Sequence, residues 1–378
     1  MDFETPSEYE PILDVVREFR RRELDPLEKE FLLAGEMDKE TKLALELKAR
    51  DVGLWALDVP EEEGGANLSL LAIAMIHAEI CQNAIPFHFG GSPEPMLREA
   101  SPEQKARYYD TVISGEKRSC YAFTEPDAGS DVQGIKTRAI KDGNDWVLNG
   151  TKIYITNAHM ADYAFVYAVT DPAKRAKGGI TCFMVDRGTP GFTIGNRIRT
   201  MGDGRDPYEL VFQDCRVPEE NILGELGFAF SMGDKQLTHG RVVLAAMCLG
   251  LAERSIAIAT EWAKQRKAFG KTISQYQAIQ WYLADSAVEL EAAKMLVYKA
   301  AWLYDNDKPV RTEAHMAKLY AAEMAQRVTD RCIQVLGGLG YTLETPIQSM
   351  WRHARVKRIG HGTTEIHRWM IARSMLGM

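Results

Sequence analysis

Apolar positions divide the chain into three stretches with different periods. Up to about residue 115 they recur at helical spacing and are broken by turns: Ile12, Val16 and Phe19 lie 4 and 3 residues apart, and Pro60-Glu-Glu-Glu-Gly-Gly65 interrupts the pattern. Between about residues 116 and 225 the pattern becomes that of short strands. Trp146-Val-Leu148 and Ile153-Tyr-Ile155 flank Asn149-Gly150, which predicts a hairpin closed by a type I′ turn. Tyr163 to Val169, Ile180 to Val185 and Tyr208 to Phe212 continue the β reading. From about residue 226 the helical period returns, first in Val242, Ala245, Ala246, Leu249, Ala252, Ile256, Ala259 and Ala263. A second stripe runs from Ala287 through Leu290, Ala293, Val297 and Ala301 to Tyr304, and a third from Ala321 through Ala325, Val328 and Cys332 to Val335. The predicted organisation is an N-terminal helical domain over 1–115, a middle β domain (barrel or sandwich) over 116–225 and an antiparallel helical bundle over 226–378. This is an α+β chain, because its strands do not alternate with helices as those of a parallel nucleotide-binding sheet do.

Composition narrows the function. Lys and Arg number 46 against 53 Asp and Glu, a net charge of −7, so the chain offers no basic footprint for nucleic acid or anionic lipid. No uninterrupted apolar run approaches about 18 residues, which argues against a membrane span, and the mixed charges of the N-terminus do not resemble a signal or transit peptide. The six cysteines, Cys81, Cys120, Cys182, Cys215, Cys248 and Cys332, form no CxxC pair and read as reduced thiols of a cytoplasmic protein. No HExxH pair occurs, His315, His353 and His367 read as structural histidines, and no metal site is signalled.

Two glycine-containing motifs remain. Gly337-Gly-Leu-Gly340 follows a helical stripe rather than a strand, so it predicts a helix end with a tight turn instead of a dinucleotide fingerprint. Thr124-Glu-Pro-Asp-Ala-Gly-Ser-Asp131 follows the apolar Tyr121-Ala-Phe123 and predicts a turn whose N–H groups and hydroxyls could hold an anion or the edge of a heteroaromatic ring. A solvated loop would carry the same letters.

Taken together, Tyr121 to Asp131, Leu148-Asn-Gly-Thr-Lys-Ile-Tyr-Ile-Thr-Asn157, Gln265-Arg-Lys-Ala-Phe-Gly270 with Gln277, and Gln334-Val-Leu-Gly-Gly-Leu-Gly-Tyr341 resemble the acyl-CoA dehydrogenase family of flavoproteins over nearly the whole chain. The resemblance implies an FAD-dependent oxidoreductase acting on a CoA thioester by α,β-dehydrogenation. It implies that Tyr121, Phe123 and Thr124 contact the flavin ring and that Tyr154 and Thr156 flank it. Ser130 would serve the cofactor phosphates or the CoA arm, with Arg241 near that arm and Gly362 at the substrate. Arg266, Phe269 and Gln277 would reach the ADP half of FAD across a subunit interface, completed by Gln334, Gly337 and Gly338, with Thr363 and Glu365 also at the cofactor. A homo-oligomer, usually a tetramer, and an electron-transfer flavoprotein as electron acceptor are implied as well.

The departure concerns the base. Where family members carry Glu in a Tyr-Glu-Gly-Thr segment, this chain has Gly360-His361-Gly362-Thr363, and at the family's second placement, before an Arg, it has Gly240 ahead of Arg241. His361 is therefore the candidate catalytic base, and the resemblance implies that its backbone N–H helps to hold and polarise the thioester carbonyl. His239, His88 and Glu94 are further candidates, and Glu365 would share a face with His361 if the segment were helical. The missing carboxylate leaves open a changed reaction (elimination, reduction or oxygenation) or a non-catalytic flavin subunit of a hetero-oligomer.

Overall fold

Leu13, Val16 and Phe19 line one face of helix α1 (Glu10–Phe19) and are buried against α4 (Leu70–Ile80). Between them lie α2 (Glu28–Ala34) and α3 (Lys39–Asp51), whose N-terminus is capped by the Asp38 carboxylate accepting from the Thr41 N–H at 2.8 Å. The structure, a computed structural model, describes residues 6–378, with 231–236 described in their backbone alone. Residues 1–5 of the predicted N-terminal domain lie outside the described residues.

The middle of the chain forms an eight-stranded sheet from β1 (Ser119–Ala122), β2 (Arg138–Asp142), β3 (Asp145–Ile155), β4 (Tyr163–Val169), β5 (Ile180–Asp186), β6 (Phe192–Arg197), β7 (Tyr208–Pro218) and β8 (Ile222–Leu223). Its order is β6-β7-β3-β2-β4-β5-β8, with β1 parallel to β4. Both faces are covered, so β4 and β5 are buried at nearly every position and read as continuous apolar runs.

The predicted hairpin at Asn149-Gly150 does not form. β3 continues through these residues and pairs with β7, with a register shift between Leu148 and Gly150. The Asn149 side chain is held by Asp214, accepting from its N–H at 2.9 Å and donating to its carboxylate at 3.1 Å. Gly150 serves close packing rather than chain reversal: a Cβ there would lie 2.4 Å from Thr137 Oγ1.

The last third is helical: α5 (Ala229–Gln265), α6 (Gln277–Asp305), α7 (Arg311–Leu336), α8 (Ile347–Lys357) and α9 (Thr364–Leu376). The three long helices coincide with the three apolar stripes, and together with α1 and α4 they enclose one shared core rich in alanine. Leu237–Gln265 of α5 is long and apolar enough to cross a membrane, but 67% of its most apolar window is buried in this core. Between α5 and α6 sits a small hairpin of β9 (Lys267–Ala268) and β10 (Lys271–Thr272). Its two central residues, Phe269 and Gly270, both have positive φ (49° and 82°), the geometry of a type I′ turn. After α7, Gly337 (φ 63°) caps the helix and opens a 3-10 turn, as its sequence context predicts.

Candidate active site

The chain between α8 and α9 makes a tight turn in which His361 and Gly362 both have positive φ, 53° and 94°. A positive φ is uncommon for a residue with a side chain and has to be imposed by the surroundings. Three contacts impose it. The Thr364 N–H donates to the Arg358 carbonyl at 3.1 Å, Thr363 caps α9 by accepting from the Ile366 N–H at 3.3 Å, and Lys318 Nζ of α7 donates to the Gly362 carbonyl at 2.6 Å. The His361 ring stands over Gly240 of α5, where a Cβ would lie 2.9 Å from both Nδ1 and Cε1.

His361 is enclosed by protein yet keeps more than a third of its own surface accessible, the combination expected of a cavity wall. Neither its ring nor its N–H has a hydrogen-bond partner among the described residues. Burial, with smaller effects of Lys357, Lys318 and Arg241, pushes its pKa down to about 4, so the imidazole is neutral at pH 7. Arg241, next to Gly240, is buried and its charge is felt at His361, His315 and His367.

Behind the turn, His315 of α7 and His367 of α9 join their Nδ1 atoms at 2.7 Å, both rings buried and both Nε2 atoms without a partner. One ring must carry its proton on Nδ1 and the other must accept there, so the protonation of the two rings is tied. Burial pushes the two histidines down to about 3 and about 2, with Arg241 and Lys318 adding to the effect. The sequence reads both as structural histidines without pairing them, and it gives Lys318 no role. A signal for Lys318 existed in its place among Ala314, Ala317, Ala321 and Ala322, a charged residue inside an apolar stripe.

In the middle domain, Tyr121, Phe123 and Tyr167 pack together, with Phe123 edge-on to Tyr167 at 4.7 Å and the Tyr121 and Tyr167 hydroxyls hydrogen-bonded. The next residues turn back on themselves, Glu125 pairing with Ala128, and the Ile153 N–H donates to the Thr124 carbonyl at 2.9 Å. Tyr154 (φ 60°) and Thr156 are exposed at the end of β3, and Ser130 is exposed beyond the turn. A buried ion pair fixes this arrangement. Lys152 Nζ donates to the Glu125 carboxylate at 2.8 Å and to the Phe123 carbonyl at 3.1 Å, while the Lys136 and Thr137 N–H groups donate to the same carboxylate at 2.6 and 3.0 Å. Burial would raise the Glu125 pKa, but Lys152 and these hydrogen bonds outweigh it and hold the carboxyl below its ordinary value. Neither Glu125 nor Lys152 was singled out from the sequence, although both lie inside the quoted motifs.

The remaining cofactor candidates lie elsewhere. Arg266, Phe269 and Gln277 are exposed around the β9–β10 hairpin, Phe269 at 97%, and Gln334, Gly337 and Gly338 are exposed at the end of α7. The elements carrying them do not pack extensively on the middle domain within one chain. Among the other candidate bases, His239 lies edge-on to Tyr304 at 6.0 Å, His88 faces His77 at 5.9 Å and Glu94 sits near the half-buried Tyr121 and the buried Tyr163 and Tyr167. Glu365 does not share a helical face with His361, because α9 starts only at Thr364 and the turn separates them.

The fold agrees with comparisons to known proteins. The N-terminal, middle and C-terminal domains of acyl-CoA dehydrogenase match residues 6–116, 120–215 and 227–376. The chain is 40% identical to the human mitochondrial short-chain specific acyl-CoA dehydrogenase over 99% of this chain and 91% of that protein. It is 36% identical to the acryloyl-CoA reductase (NADH) of Anaerotignum propionicum over 100% and 96%. The structure of butyryl-CoA dehydrogenase from Megasphaera elsdenii superposes with a TM-score of 0.90 at 34% identity, covering all of both chains. In sequence, domain order and three-dimensional structure, the chain belongs to the acyl-CoA dehydrogenase family and is an acyl-CoA dehydrogenase-type flavoenzyme.

Proposed function

We propose that the protein binds FAD and removes the α-proton and a β-hydride from a CoA thioester, with His361 as the base in place of the family's carboxylate. The observation that carries this reading is the His361 turn: a neutral imidazole whose ring and N–H have no hydrogen-bond partner among the described residues. The Nδ1–Cε1 edge faces Gly240, which leaves Nε2 as the freer nitrogen to take the proton. The His361 N–H is available to a thioester carbonyl, whose developing negative charge Lys318 and Arg241 would favour at longer range.

The exposed residues fit a flavin. Tyr154 and Thr156 present an aromatic face and a hydroxyl beside the Phe123-Thr124 turn, and the buried Lys152–Glu125 pair keeps that turn rigid. Arg266 and the fully presented Phe269 ring suit a pyrophosphate and an adenine, and no atom lies within 4 Å of where a Cβ would sit on Gly337 or Gly338, so a ligand could approach their backbone. When bound, FAD supplies the two-electron oxidant that accepts the hydride. Because the two sets of residues lie on separate parts of the chain, we assign the second set to a neighbour's cofactor in a homotetramer. Exposed Trp281, Tyr282 and Val288 on α6 support such an interface. We take the electron acceptor to be an electron-transfer flavoprotein, and the six free cysteines fit a cytoplasmic location.

The experiment is direct. Purified protein should be yellow with about one FAD per chain, bleach anaerobically on addition of its acyl-CoA, and release the enoyl-CoA. Protein that cannot be loaded with flavin would end the proposal. A second reading, reduction of an enoyl-CoA by the same residues, is favoured by the likeness to the acryloyl-CoA reductase. It would show as bleaching by a nicotinamide donor and reoxidation by the enoyl thioester.

A further inference from the structure

Next to His361 the cavity wall carries two cations that have no anion. Arg205, in the loop between β6 and β7, makes no hydrogen bond or ion pair among the described residues, and Lys357, at the end of α8, touches only Met247 Sδ at 3.2 Å. The carboxylates of this loop are taken elsewhere, Asp203 by Ser349 and Arg352 of α8 and Asp206 by Arg197 and Thr200. Lys152 and Arg352, by contrast, are paired with the carboxylates of Glu125 and Asp203. A partly buried charge without a partner is costly, and a fold that holds two of them on adjoining elements, the Asp203-anchored loop and α8, suits a ligand that neutralises them.

The surroundings of the two cations define a pocket. His77 and Cys81 lie one turn apart at the end of α4, His353 and Lys357 one turn apart on α8, and His88 faces His77 with ring centroids at 5.9 Å. With Arg205 these side chains are partly rather than fully buried, so each keeps some surface open to a ligand. His77 Nδ1 and His353 Nε2 have no partner there. Lys357 ends α8 just before the His361 turn, which sets this cationic end close to the proposed reacting carbon rather than among the phosphate-binding candidates Ser130 and Arg266.

Resting on the acyl-CoA reading above, we infer that the acyl pocket accepts a short acyl group ending in a carboxylate, the CoA thioester of a dicarboxylic acid. Its distal carboxylate lies between Arg205 and Lys357, with the His77 and His353 rings as additional donors. Two charge-assisted contacts in an enclosed site discriminate strongly against an uncharged chain end, which would leave both cations desolvated.

The test compares glutaryl-CoA with pentanoyl-CoA, equal in chain length and different in the terminal charge, binding to oxidised holoenzyme as read from the perturbed flavin spectrum. Glutaryl-CoA should bind at least about tenfold more tightly, and K357M and R205M should each bring that ratio toward one. Circular dichroism and flavin content identify a variant that fails to fold, and the other variant together with the wild-type ratio then decides. Equal binding of the two thioesters by the wild type, or a preference that survives in the folded variants, overturns the inference while leaving the acyl-CoA reading intact. If neither thioester perturbs the flavin, the acyl-CoA reading itself fails and this inference falls with it.

Discussion

Gly240 and His361 share one space: the imidazole occupies the volume that any side chain at residue 240 would need, with a Cβ only 2.9 Å from Nδ1 and Cε1. The small residue on α5 and the ring on the α8–α9 turn are thus complementary. G240A should push the ring off its position without touching the flavin candidates. Displacements of this size near a reacting atom cost about 10–10²-fold in rate, so G240A should slow flavin reduction while its FAD content equals that of wild type. Rapid-mixing absorbance with a matched flavin titration measures both.

The buried pair under the Phe123–Glu125 turn should matter for stability. E125Q leaves the buried Lys152 ammonium with neutral acceptors only, and removing one charge of such a pair costs about 3–5 kcal/mol. Urea denaturation of wild type and variant checks this. A loss below about 1 kcal/mol, the range of exposed pairs, would mean that water replaces Glu125 at Lys152.

The histidine pair sets a pH dependence. His315 and His367 are neutral in the folded protein, their values pushed down to about 3 and about 2, while in the unfolded chain they protonate near 6.5. Between those values the unfolded state binds more protons, so stability is fully present above pH 6.5 and declines as pH falls. The loss at pH 5.5 is about 1.4 kcal/mol per ring. H367Q should flatten the decline by roughly one ring's share. Denaturation midpoints at pH 7.5 and 5.5 would show it, and an unchanged slope would assign the acid sensitivity to other groups.

Arg266 is expected to act across the subunit interface. R266A should weaken FAD retention by about tenfold or more, the effect of a lost charge-assisted contact. Light scattering with flavin absorbance over a dilution series should show cofactor leaving as the oligomer dissociates. A fully flavinylated monomer would contradict a shared site.

Much of this was legible in the chain because the signals were long. Stripes such as Val242 to Ala263 sum over many turns, and they located the three bundle helices. Asn149-Gly150 misled because a two-residue signal is local, whereas the neighbours decide: Asp214 bonds Asn149 and Thr137 crowds Gly150, so the strand runs on. The Phe269-Gly270 turn has the same backbone geometry but no conventional letters, since an aromatic residue seldom takes positive φ. Relations across the chain were beyond local reading. His315 meets His367 over 52 residues of sequence, and the Arg205–Lys357 pocket joins a middle-domain loop to a bundle helix. No spacing rule predicts either.

The central claim is that His361 takes the α-proton, and the most direct measurement is anaerobic rapid mixing of wild type and H361A with the best acyl-CoA, following flavin bleaching from pH 5 to 8. Because burial pushes His361 down to about 4, the imidazole stays neutral over this range, and its titration should not depress the wild-type rate until pH approaches that value. H361A, with unchanged FAD content, should bleach slower by about 10²-fold or more at every pH. Bleaching of H361A at the wild-type rate would remove His361 from the proton-transfer step.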